Sequence, residues 1–103
     1  MPKVAMIAKL TAAEGKRDEV AAVFESYFPA LADEDGTEIY ALHEDVADPN
    51  VIWFYELYRD DAALGVHGGS DAMKQLGGQL GGLLAGRPEL TMLRPRIAKG
   101  LSV

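Results

Sequence analysis

Apolar and polar positions alternate from Lys3 to Thr11, "KVAMIAKLT", with Val4, Met6, Ala8 and Leu10 on one side and Lys3, Ala5, Ile7 and Lys9 on the other. A period of two predicts a β-strand. The next segment, "GKRDEVAAVFESYFPALADEDG", changes period. Val20, Val23, Phe24, Tyr27 and Leu31 recur at helical spacing, and Asp18, Glu19, Glu25 and Ser26 fall mostly off that stripe. Pro29 lacks an amide hydrogen and collides with the preceding turn, so the regular helix should kink or end there, with "ADEDG" as a loop. "TEIYALHEDV" and "NVIWFYELYR" are two further strands joined by the turn sequence "ADPN", which makes them a hairpin. Asp60 should cap a short helical piece running to about Val66, and Gly68-Gly69 should break it. Ser70 then caps a second piece with Met73, Leu76, Leu80, Leu83 and Leu84 on one face. "ELTMLRPRIA" is a fourth strand, in which Pro95 suggests an edge or a bulge.

The order β-α-β-β-α-β, with the second helix broken in two, is an α+β ferredoxin-like plan: four antiparallel strands carrying both helices on one face, residues 1–103 forming a single domain. The third strand qualifies that picture. It places Val51, Trp53, Tyr55 and Leu57 on one side and Ile52, Phe54 and Tyr58 on the other. A solvated sheet face would alternate toward polar residues. Both faces should therefore be covered, and helices can cover only one. A homodimer packed sheet against sheet through a two-fold axis is the expected arrangement.

Composition narrows the partners. The chain has no cysteine, which removes disulfides, thiolate metal sites and cysteine nucleophiles together. Its formal charge is −6, and the densest basic group is Arg94, Arg96 and Lys99, so no nucleic-acid partner is expected. No apolar run approaches the roughly 20 residues that span a bilayer, and "MPKVAMIAKL" lacks the features of a secretion signal, so a cytoplasmic protein without a membrane partner is expected. His43 and His67 are the only histidines and lie far apart without a nearby acidic motif, a poor metal signal; no metal is expected.

Glu56-x-Tyr58, Ala63-Leu64, His67 with Ser70 three residues on, and Met73-Lys74 occur in an order and spacing that resembles the antibiotic biosynthesis monooxygenase family. "KLTAAEGK" and "PELTMLRP" extend the likeness over nearly the whole chain. The resemblance implies ferredoxin-like subunits paired into a dimeric α+β barrel. It also implies oxidation of quinols, polyketide aromatics or haem, mostly without flavin or bound metal, so no cofactor is expected. An electron-rich phenolate can itself pass an electron to oxygen, leaving the protein to deprotonate, orient and dry it. Where polyketide-oxidising members carry asparagine, tryptophan and tyrosine, this chain has Phe54, Tyr58 and Leu64. Where haem-degrading members carry asparagine, tryptophan and histidine, it has Ala8, Tyr58 and Gly77. Neither set is intact, and the general quinol-oxidising type is what the resemblance leaves.

The catalytic candidates are Glu56, His67 and Tyr58, with Phe54, Leu64, Met73 and Leu76 as substrate-binding walls. Glu56 is either a base or acceptor for a phenolic substrate, or a structural acceptor for a tyrosine hydroxyl or helix amides. His67 is either a base or a helix-end histidine favourable to the helix dipole. Tyr58 could stack on an aromatic substrate, donate from its hydroxyl, or be core. Trp53 and Tyr55 belong to the dimer core on this reading, and His43 faces the dimer contact. The glycines of "LGGQLGGLLAG" weaken a helix and fit either a mobile helix at the cavity mouth or close helix packing. The expected function is cofactor-independent oxidation of a quinol or other electron-rich aromatic; the alternative is a non-catalytic dimeric barrel that binds a small aromatic or stabilises a partner.

Overall fold

The computed structural model describes residues 2–103. Strand β1 (Val4–Thr11) is followed by helix α1 (Arg17–Tyr27), strands β2 (Thr37–Glu44) and β3 (Val51–Tyr58), helices α2 (Asp61–Gly68) and α3 (Asp71–Gln79), and strand β4 (Glu89–Leu93). The strands form one antiparallel sheet in the order β2-β3-β1-β4. This is the α+β ferredoxin-like plan expected from the order of periods.

Pro29 acts as its chemistry requires. Helix α1 stops at Tyr27 and tightens into a 3₁₀ segment, Phe28–Asp33, with Pro29 near its start, where a missing amide hydrogen costs little. Asp60 and Ser70 both cap helices, accepting from Ala63 N at 2.8 Å and from Met73 N at 3.1 Å. In the β2–β3 connection, Asp45 Oδ1 accepts from the amides of Ala47 and Asp48, each at 2.9 Å, while Oδ2 accepts from Trp53 Nε1 at 2.8 Å. These donors, led by the indole, hold the Asp45 carboxyl down at about 2.

Register decides what each face carries. Glu56 lies opposite Met6 on one side and Tyr40 on the other, and Phe54 lies opposite Ala8 and Leu42. Alternation then puts Met6, Ala8, Leu10, Tyr40, Leu42, Phe54, Glu56 and Tyr58 on one face. The helices pack there, in a core where Ala8, Leu10, Ile52 and Phe54 meet Val20, Phe24, Tyr27, Leu76 and Leu80. The Phe24 and Phe54 rings are 4.6 Å apart. On the opposite face Trp53 and Tyr55 are half-buried, with Lys9 Nζ 5.5 Å from the Trp53 ring centroid.

Three element boundaries differ from expectation. Helix α2 continues past Val66 to Gly68, which carries His67 in its last turn. Helix α3 ends at Gln79, so Leu83 and Leu84 follow it; Gly82, at φ 80°, reverses the chain, and Leu84 bridges to Ala12. The apolar spacing runs on past the helix because those leucines cover the core from a turn. Strand β4 stops at Leu93, leaving Pro95 outside it. Nor do the glycines of α3 serve close packing: a methyl group at Gly77 or Gly78 would have nothing within 4 Å.

Candidate active site

A cavity of about 430 Å³ lies between the helix-bearing face of the sheet and helices α2 and α3. Its floor is Met6, Ala8 and Leu10 of β1 with Phe54 and Glu56 of β3, and its far wall is Leu64 and His67 of α2 with Met73, Leu76 and Gly77 of α3. Phe24, Tyr40 and Leu80 complete the interior, while Pro88, Leu90 and Met92 form the side toward the sheet edge. The surface is almost wholly apolar, and its polar contributions come from Tyr40, Glu56 and His67. These three are neighbours: Tyr40 and Glu56 face each other across the β2–β3 ladder, and the Tyr40 and His67 ring centroids are 5.0 Å apart.

Glu56 is 3 % exposed, an unusual place for a carboxyl group. Burial pushes its pKa up; the Tyr58 hydroxyl that donates to Oε1 and the nearby His67 oppose that rise without cancelling it. Tyr58 is completely buried beside Glu56 and is not part of the cavity wall. Stacking by Tyr58 on a bound aromatic is therefore corrected: two residues along the same strand face, it lies beyond Glu56 and supplies a hydrogen bond to it. Burial, reinforced by nearby carboxylates, also raises the hydroxyls of Tyr27, Tyr40 and Tyr58, which keeps all three as neutral donors.

His67 is 3 % exposed, and its partner is a residue that sequence reasoning passed over. Nδ1 lies 2.8 Å from Glu34 Oε1, with the Tyr27 hydroxyl farther away at 3.4 Å. The same Glu34 oxygen accepts from Thr37 Oγ1 at 2.9 Å. Glu56 and His67 thus share one cavity, each with its own hydrogen-bond partner. Phe54, Leu64, Met73 and Leu76 all contribute to the wall. His43 pairs with Trp53 in the ladder and belongs to the opposite sheet face. Among the described residues, no three His, Cys, Asp or Glu side chains gather as a metal site would require.

Glu34, Tyr27, Tyr40 and Phe24 are the site residues missed from sequence. Tyr40 shares the parity of Leu42, so the sequence groups the two on one side of β2, and the pairing of Tyr40 with Glu56 identifies that side as the helix-bearing one. Tyr27 and Phe24 lay on the α1 stripe and looked like ordinary core. Glu34 carried no local signal, since it sits in an acidic loop 33 residues from His67.

The sequence profile of the antibiotic biosynthesis monooxygenases matches residues 3–77, nearly three quarters of the chain. The chain belongs to that family. The matched span includes Glu34, Glu56, Tyr58 and His67 and ends within α3; the cavity residues Leu80, Pro88, Leu90 and Met92 lie beyond it. Among solved structures, a protein of Caulobacter crescentus CB15 classed with the antibiotic biosynthesis monooxygenases is similar at 29 % identity and a TM-score of 0.88, covering 93 % of this chain and 92 % of its own. Rv0793 of Mycobacterium tuberculosis is similar at 29 % identity and a TM-score of 0.83, covering 96 % and 99 %. PA3566 of Pseudomonas aeruginosa is similar at 26 % identity and a TM-score of 0.83, covering 95 % and 97 %. No curated protein matches. Phe54, Leu64, Ala8 and Gly77, which the resemblance alone set against polar residues of specialised members, are all apolar parts of the cavity wall.

Proposed function

We propose that this member of the family is a monooxygenase that oxidises a quinol or another electron-rich aromatic, with the cavity as its substrate site. The observation that carries the proposal is a 430 Å³ apolar space bounded on one side by Glu56, His67 and Tyr40. Its volume lies within the roughly 300–1,000 Å³ typical of small-molecule sites. Its walls suit flat aromatic rings, and the polar side suits a ring hydroxyl.

His67 is the group proposed to take the hydroxyl proton, and Tyr40 donates toward the phenolate oxygen that results. Glu56, held by Tyr58, accepts from a second hydroxyl or shares the proton. The phenolate is the electron source. For a hydroquinone, one atom of molecular oxygen enters the ring and the other leaves in water; the ring is oxidised to a hydroxyquinone and supplies all four electrons. The chain's own work is deprotonation, orientation and exclusion of water.

Oxygen uptake with a panel of hydroquinones and naphthols tests this reading. The wild type should turn over at least one of them. His67→Ala should lower kcat/KM by about 10²- to 10⁴-fold, and Glu56→Gln by a smaller factor. No oxygen uptake by the wild type across the panel would favour a non-catalytic barrel that binds a small aromatic. A homodimer is part of the proposal. It is supported by half-buried Trp53 and Tyr55 on the helix-free face and by Leu90 and Met92 of β4, which are 56 % and 54 % exposed in the single chain although they border the cavity.

A further inference from the structure

Glu34 contributes nothing to the cavity wall, yet its carboxylate holds the one imidazole that does. We propose that Glu34 is the positioning residue of His67: it fixes the ring with the Nδ1 proton turned toward its own carboxylate and the unprotonated Nε2 turned toward the cavity. That His67 then acts on a substrate rests on the function proposed above; the orientation of the ring does not.

Glu34 Oε1 already accepts from the Thr37 hydroxyl, and with the same oxygen accepting from His67 the nitrogen 2.8 Å away carries the proton. The Tyr27 hydroxyl, at 3.4 Å, is the weaker partner of the same nitrogen. Nε2 takes part in none of the side-chain hydrogen bonds among the described residues. No sealed side-chain nitrogen or oxygen there lacks a partner, so Nε2 has access to open space, and His67 lines the cavity. Glu34 is itself anchored. Its amide donates to Leu31 O, its carbonyl accepts from Thr37 N, both at 3.0 Å, and its Oε1 accepts from the Thr37 hydroxyl. The titratable groups around the ring are Tyr27 from α1, Glu34, Tyr40 from β2, and Glu56 and Tyr58 from β3. Of these, only Glu34 is placed to accept strongly from Nδ1.

The consequence is chemical. The neutral side chain of a free histidine prefers its proton on Nε2, which would present a donor to the cavity. Reversing that preference makes the cavity-facing nitrogen a base, and the carboxylate behind it stabilises the imidazolium that forms on proton uptake.

Nitrogen NMR of ¹⁵N-histidine-labelled protein reads the tautomer directly, and His43→Ala assigns the signals because the chain has two histidines. In the neutral form the wild type should carry the proton on Nδ1. Glu34→Ala should move it to Nε2 and lower kcat/KM by about 10- to 100-fold. Glu34→Gln, whose amide oxygen can still accept, should keep it on Nδ1 and recover part of the activity; Tyr27→Phe should leave it in place. A proton on Nε2 in the wild type, or one that stays on Nδ1 in Glu34→Ala, overturns the assignment. A tautomer that follows Glu34 in a protein that consumes no oxygen supports the assignment and removes the proposed function instead.

Discussion

Glu56 lies between opposing influences, and the balance can be read as a dependence of stability on pH. Burial raises its carboxyl above the ordinary range, while the Tyr58 hydroxyl and His67 pull it back. The folded protein therefore retains a proton that the unfolded chain releases. Where both states are protonated, at low pH, the group has no effect. As pH rises from the ordinary glutamate range toward the raised value, the unfolded chain ionises first and this group's contribution to stability falls. Glu56→Gln removes the titration but keeps an oxygen to accept from Tyr58. Urea unfolding across that pH range should show the variant gaining on the wild type as pH rises; parallel curves would mean that Glu56 ionises alike in both states. Asp45 has the opposite sign. Its carboxyl, held at about 2 by Trp53 and two amides, contributes stability that is lost as pH falls from the ordinary aspartate range toward that value.

At the scale of elements, the site depends on how α2 is set against the start of β2. Gly36 immediately precedes β2, and a β-carbon there would overlap the Ala63 side chain on α2. Its carbonyl meanwhile accepts from Arg59 N at 2.8 Å, tying the end of β3 to the same point. Glycine is needed for close approach, since the backbone at Gly36 is not in the left-handed region. Gly36→Ala should cost about 1–3 kcal/mol by overpacking. The same change made in an Ala63→Gly background should cost much less, although Ala63→Gly alone weakens the helix by about 1 kcal/mol. Additive effects in denaturant unfolding would show that the two elements tolerate separation. This contact bears on function because α2 carries His67 and the segment before Gly36 carries Glu34; moving one against the other would stretch their hydrogen bond.

For the whole molecule, the two sheet faces have different fates. One is buried under α1, α2 and α3 and forms the floor of the cavity. The other leaves Trp53 and Tyr55 half-buried, and β4 is exposed along its full length. An apolar face and an exposed apolar edge are what a second copy would cover. Sedimentation at micromolar concentration should give the mass of a dimer, and Tyr55→Glu, which places a charge in the proposed contact, should shift it toward one subunit. A wild-type mass of a single chain would remove the dimer from the proposal. Among the described residues, no helix is long and apolar enough to cross a membrane.

The succession of elements was legible in the sequence because strand and helix impose different periods, and because Pro29, Asp60 and Ser70 act on their immediate neighbours. Side-chain parity along β3 likewise grouped Phe54 with Tyr58 and set Trp53 and Tyr55 on the other side, but which of the two sides carries the helices is not contained in a period of two. Where the apolar stripe of α3 left the helix, and which residue holds His67, were decided only in three dimensions. The first depended on a left-handed turn at Gly82, and the second on a loop carboxylate brought across 33 residues. Local periodicity records which side of an element is buried. It holds no information about which distant polar group meets it there, because that pairing is fixed by strand register and helix docking.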